Sequence, residues 1–135
     1  MLQTDGVLNY SLTAPRPAAS NVRAIFTVGQ CLLIDALDRL GVRAQPRGIS
    51  DVVVADRKIS GNAQASRWGG LLLHGTMLCD IDFDVMEACL RHPPREPDYR
   101  HGRGHRAFMT TLRHEGALVA PREVEAAVIA SAREL

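Results

Sequence analysis

Residues 50–78 read "SDVVVADRKISGNAQASRWGGLLLHGTML", and this stretch decides the fold. "DVVVA" (51–55) is a β-branched run of the kind that fits a pleated, buried strand. "DR" at 56–57 can turn the chain into a second strand, Lys58 to Gln64. The turn "SRWGG" (66–70) leads into a long apolar strand, "LLLHGTMLCDI" (71–81). Apolar runs joined by turns this short predict an antiparallel meander.

Working outward, "GVLNYSLTA" (6–14) alternates Leu8, Tyr10 and Leu12 with Asn9 and Ser11 and reads as another strand. Two prolines in "APRPAAS" break it. Ser20 is then the expected N-cap of a helix reaching about Leu40, with Val22, Ile25, Phe26, Cys31, Leu32, Leu33, Ala36 and Leu40 at helical spacing and Gly41 as its stop. "GVRAQ" (41–45) reads as a short strand and "PRGIS" (46–50) as a polar turn. Downstream, Asp82 is placed to cap a helix from Phe83 to about Arg91. "RHPPREPDYRHGRGH" (91–105) is a loop, "HRAFMTTL" (105–112) a short helix, and "APREVEAAVIASAREL" (120–135) a helix with Pro121 in its first turn. The pattern predicts an α+β fold over residues 1–135 as a single domain, with one mostly antiparallel sheet flanked by helices.

Composition narrows the functional classes. The net charge is +1, and the arginines are interleaved with acids, which gives no reason to expect nucleic acid or an anionic membrane as partner. No apolar run approaches the roughly 18–20 residues of a membrane span. The start, "MLQTDGVLNY", lacks the basic and apolar regions of a signal peptide. Cys31, Cys79 and Cys89 are odd in number and form no CxxC, so neither a disulfide framework nor a thiolate zinc site is expected; they read as core, in a reducing cytoplasm.

Of the 16 basic residues, 15 are arginine; Lys58 is the only lysine. The plain reading is a solvated strand lysine. Three features favour an anion contact instead. A site that excludes arginine can require a compact ammonium rather than a planar fork. Gly61, close behind it, marks a point where a ligand can approach a strand backbone. Arg57 raises the local positive potential, and an ammonium so placed can stabilise charge developing in a transition state. His74 and Gly75 read either as core features of a buried strand or as a pocket wall where Gly75 leaves room for a chain-like substrate. Asp51 reads either as a turn carboxylate or as a magnesium or phosphate-side contact near Lys58. His101 and His105 are four apart, but the glycines and arginines of "RHGRGHR" argue for a loop and against a metal pair, and no metal site is expected.

The stretch from Ser50 to Met86 resembles the second half of the lipoate–protein ligase A family, within the biotin and lipoate ligase superfamily. The family pattern is an (N/S)-D strand start, a hairpin into G-(R/K)-K-(I/V)-(S/A)-G-(S/N)-A, a strand ending H-G-(T/S)-(L/M)-L, then D-x-D and a helix. Asp56 stands where the pattern has its first glycine. "GVLNYSL", "LDRLGVRAQ" and "HPPREPDYRHGRGHRAFMTTL" extend the resemblance over nearly the whole chain. It implies a partial biotin/lipoate ligase-like domain that activates lipoate or a related acid with ATP and magnesium to an acyl-adenylate. The acyl group then passes to a lysine of an acceptor domain, in a 2-oxoacid dehydrogenase or a glycine cleavage protein. By the same resemblance Lys58 touches the carboxyl and the α-phosphate, Gly61 and Asn62 form the adjoining wall, His74 lies near the acyl pocket, and Asp51 is on the nucleotide side.

Two departures shape the expectation. The family's R-R-x-x-G-G-G-x-V-x-H motif, upstream of the L-N-Y-S strand, is not in this sequence. An N-terminal half on another chain, or self-association over an open face, is therefore expected. Octanoyltransferase relatives carry a nucleophilic cysteine shortly before the acidic strand start, and "AQPRGIS" has none, which favours the ligase reading over that alternative. A non-catalytic binding or scaffolding module is the other alternative. Where some ligases have an arginine this chain has Ala65, with Arg67 nearby.

Overall fold

The computed structural model describes residues 2–15 and 21–135. Its centre is a five-stranded antiparallel sheet of order β1-β5-β4-β3-β2, with β1 at Val7–Pro15, β2 at Gln45–Arg47, β3 at Asp51–Val54, β4 at Arg57–Arg67 and β5 at Gly70–Leu78. The predicted meander is present. Its turns are tighter than the sequence reading placed them. β3 and β4 are joined by Ala55 and Asp56, not Asp56 and Arg57, because both residues take positive φ (46° and 64°), as a two-residue hairpin matched to strand twist requires. Trp68 and Gly69 (φ 51° and 74°) form the second such turn, with Trp68 95% exposed at its tip.

Helix α1 spans Val22–Arg39. Its N-cap is Asn21, whose Oδ1 accepts the Ala24 N–H at 2.7 Å; the expected cap, Ser20, lies outside the described residues. Gly41 (φ 78°) ends it as predicted. The buried stripe is Ile25, Gly29, Leu32, Leu33, Ala36 and Leu37. Cys31 is exposed rather than core, since one residue before Leu32 is about 100° round the helix. Cys89 is exposed as well, and only Cys79 is partly buried. Burial pushes the Cys79 thiol up, away from thiolate.

Helix α4, Pro121–Ala132, packs beside α1, and the Ser131 hydroxyl donates to Asp35 at 2.6 Å. Glu123 reaches back to accept the Ala120 N–H at 2.7 Å, closing the first turn. These two helices cover one face of the sheet through Leu32, Leu33, Leu37, Val52, Ile59, Met77 and Val124.

The other face is covered at one end only. Asp82 caps α2 (Phe83–Cys89) as expected, and Phe83 and Met86 pack on Leu78 and Ile81. The expected helix over 105–112 is only one turn, α3, His105–Phe108. Beyond it the chain extends: Met109 bridges Lys58 in parallel, Thr110 N–H donates to Lys58 O at 2.9 Å, and Leu112 N–H donates to Leu78 O at 2.9 Å. Backbone pairing with the sheet, through a β-branched Thr110–Thr111 pair, wins over helix propensity there. The short strand near residue 45 also shifts, from 41–45 to Gln45–Arg47; Pro46 is tolerated because β2 is a sheet edge. The long strand ends at Leu78, where Cys79 and Asp80 N–H both donate to Gly6 O. Among the described residues, no helix is long and apolar enough to cross a membrane.

Candidate active site

Strict alternation along a strand would put Lys58 and Gly61, three residues apart, on opposite faces. A bulge puts them on one. The β3–β4 register slips between Val52 and Val53: Val52 pairs with Ser60, and Val53 with Lys58, leaving Ile59 unpaired. Ile59 and Ser60 both turn inward and are buried, at 0% and 1% exposure. Lys58 and Gly61 are left together on the opposite face. A Cβ on Gly61 would sit 2.8 Å from Lys58 Cε and Nζ and 3.5 Å from Asp51 Oδ1, so the bare backbone of Gly61 is what lets the ammonium lie there.

Lys58 Nζ donates to Asp51 Oδ1 at 2.8 Å. The second oxygen, Oδ2, accepts the Tyr99 hydroxyl at 2.8 Å. Asp51 is buried and its backbone carbonyl accepts Gln30 Nε2 from α1, so its backbone is tied to the helix layer. Tyr99 comes from the 91–104 loop. Burial, then the adjacent Asp51 carboxylate, push its hydroxyl well above the usual tyrosine range, which keeps it a proton donor.

Along β5, His74 and Thr76 share this face. Thr76 pairs with Gly61, and His74 with Ala63 and Ser11. His74, Ala63, Ser11 and Asn9 are exposed, forming a small-residue and polar floor beyond Lys58. Lys58 and Thr76 also line a cavity of about 310 Å³ whose walls include Leu78, Ile81, Met86 and Phe108. Its basic end is Arg100, 4% exposed, stacked 4.7 Å over the Phe108 ring, with His105 beside it.

Asn62 and Gly75 lie elsewhere. They pair with each other and face the helix layer. Asn62 Nδ2 donates to Ser50 O at 2.6 Å, and the room Gly75 leaves is filled by the Tyr10 hydroxyl, 2.4 Å from where a Cβ would be. Burial pushes that hydroxyl's pKa up, with Ser60 partly offsetting the shift. Of the sequence-selected residues, the structure therefore brings Lys58, Asp51 and Gly61 into contact, keeps His74 on their face, and turns Asn62 and Gly75 to the back. Sequence reasoning missed Tyr99 and Thr76. Thr76 was legible by alternation from His74; Tyr99 has no local signal, standing 48 residues from Asp51. His101 and His105 are not a pair: His101 is exposed at φ 52°, and His105 is buried against the Leu90 carbonyl. Among the described residues no group of three or more His, Cys, Asp or Glu could hold a metal ion.

Comparison with known proteins gives this geometry its family. A 59-residue segment is 44% identical to lipoate-protein ligase LplJ of Bacillus subtilis, covering 44% of this chain and 18% of that protein. A 62-residue segment is 36% identical to lipoate–protein ligase 1 of Staphylococcus aureus, covering 46% and 19%. The fold superposes on a bi-partite lipoate protein ligase from Thermoplasma acidophilum, studied with its E2 lipoyl domain, at a TM-score of 0.81 and 26% identity. It superposes on a lipoate-protein ligase A bound with ATP at 0.79 and 25%. In both, 96% of this chain is matched against 51% of the solved chain, so it spans about half their length. A biotin protein ligase from Aquifex aeolicus shares the fold at 0.70. Residues 1–133 match the family model of the lipoyl protein ligase A/B catalytic domain, and the chain belongs to that family.

Proposed function

We propose that this chain carries the lysine-bearing part of a lipoate-activating site. The observation that supports it best is the Lys58–Asp51 pair beside bare Gly61, on a sheet face whose neighbouring strands are exposed. The lipoate carboxylate attacks the α-phosphorus of ATP, a new O–P bond forms, the bond to the bridging oxygen breaks, and pyrophosphate leaves. Negative charge concentrates between the carboxyl and the α-phosphate. Lys58 touches both there, and its ammonium strengthens those contacts as charge builds. In the second step the neutral amine of an acceptor lysine attacks the acyl carbon, forming an amide and releasing AMP. Similarity to an ATP-bound ligase supports the nucleotide, similarity to the curated lipoate-protein ligases supports the acyl acid, and similarity to a bi-partite ligase studied with an E2 lipoyl domain supports the acceptor. Magnesium enters with the nucleotide as part of the co-substrate. Asp51 orients Lys58, Gly61 gives it room, and His74 stands toward the acyl chain. Asn62 and Gly75 support the floor from behind. A segment bearing the arginine and triple-glycine motif, on a second polypeptide, covers the exposed strands and completes the site, in a cytoplasmic setting where ATP is available.

The experiment mixes the chain with such a segment, magnesium, ATP, lipoate and a lipoyl acceptor domain, and reads acylation by intact mass. Lipoylation of the acceptor, lowered on the order of 10²–10³-fold in kcat by Lys58→Ala, is expected. A Lys58→Ala chain as active as the parent removes the proposed role. Acyl-cysteine on this chain after incubation with octanoyl carrier protein would establish the transferase alternative. Tight binding to the second segment without turnover would establish a scaffolding role.

A further inference from the structure

We propose that Tyr99 is a positioning residue for Lys58, acting through Asp51. This rests on the reading of Lys58 as the active-site cation. The two oxygens of the Asp51 carboxylate are chemically equivalent, and a carboxylate held at one of them can turn about its Cβ–Cγ bond. Here each oxygen has one partner at 2.8 Å, Lys58 on Oδ1 and the Tyr99 hydroxyl on Oδ2. Gln30 and the sheet fix the Asp51 backbone only. Tyr99 is thus the group that stops the carboxylate turning and keeps Oδ1 aimed at Nζ. The ammonium, held by one N–H, keeps its two others for an incoming anion.

Tyr99 is itself built to stay in place. Its ring packs on Phe108 with centroids 5.2 Å apart, and the Arg47 guanidinium lies over it at 5.4 Å. Arg103 Nη2 donates to the Tyr99 carbonyl at 2.8 Å and also bonds Asp56 in the β3–β4 turn. Glu96 accepts the Gly102 N–H at 2.7 Å, closing the loop on itself. The loop that local sequence reads as a connection is a clamp. It delivers one hydroxyl to a carboxylate 48 residues away.

Tyr99→Phe tests this, because the ring contacts survive and only the hydroxyl is lost. With Lys58 the only lysine, ¹⁵N-lysine labelling gives a single Nζ resonance. In Tyr99→Phe that resonance shifts and its protons exchange several-fold faster, with a thermal midpoint close to the parent's. In the reconstituted ligase assay kcat falls about tenfold, the loss of one hydrogen bond to a charged group, while the KM for lipoate changes little. An unmoved Nζ resonance in folded Tyr99→Phe overturns the proposal, whatever the assay shows. A moved resonance with no ligase activity in the parent upholds the positioning and removes the ligase reading instead. Should Tyr99→Phe fail to fold, the parent labelled with 3-fluorotyrosine, a stronger donor of the same size class, must move the resonance; if it does not, the proposal fails.

Discussion

At the residue scale, two glycines carry opposite duties. An added Cβ at Gly61 meets the far end of a flexible side chain, Lys58, at 2.8 Å, so Gly61→Ala is expected to leave unfolding free energy within about 1 kcal/mol of the parent while displacing the ammonium and lowering activity. At Gly75 a Cβ meets the Gly61 carbonyl at 2.6 Å as well as the Tyr10 hydroxyl, and backbone cannot yield. Gly75→Ala is expected to cost on the order of 1–3 kcal/mol in urea denaturation. Lys58 and Gly61 were legible as candidates that the fold brings together, because a lone lysine and a strand glycine are unusual on their own terms. Asn62 was selected by resemblance and Gly75 as room in a pocket wall, yet neighbours in a strand point to opposite faces, which turns Asn62 away from the face of Gly61 and Gly75 away from the face of His74.

At the element scale, the β3–β4 hairpin does more than connect. Its bulge brings the candidate site together by moving Lys58 to the face of Gly61, and its turn forces Ala55 into a left-handed conformation at φ 46° that costs an alanine about 1–2 kcal/mol. Ala55→Asn, a residue suited to that turn, is expected to stabilise the fold on the order of 0.5–1 kcal/mol, visible as a higher urea midpoint at unchanged slope. The hairpins and α1 were legible because their signals are local: β-branched runs, helical spacing, Gly41. The one-residue offset of the turn and the bulge were not, since "VVVADRKIS" is compatible with either register and the pairing is decided by which residues α1 buries. For the same reason the helix expected over 105–112 gives way after one turn to hydrogen bonds with the sheet.

At the scale of the whole molecule, three carboxylates hold the fold together, Glu87 and Asp35 between separate elements and Glu96 within one loop. Glu96 is held below its usual range chiefly by the Gly102 N–H, Glu87 by the Arg106 N–H, and Asp35 by the Ser131 hydroxyl and then Arg39. Each is depressed on folding, so the stability it contributes is fully present above the ordinary carboxylate range, about pH 4, and is lost as pH falls through the depressed values. Thermal midpoints taken from about pH 6 downward should stay level and then drop below that range. The antiparallel sheet with helices on it was legible from element order alone; the Tyr99–Asp51 link was not, because it depends on how a loop 48 residues downstream folds over the strand that carries Asp51. Trp68, the only tryptophan, ends the β4–β5 hairpin at 95% exposure. Its indole already sits in water, so its emission is an optical probe almost blind to unfolding. The same emission would shift to the blue if another polypeptide covered that end of the sheet, so the hairpin tip reports directly on whether anything docks there.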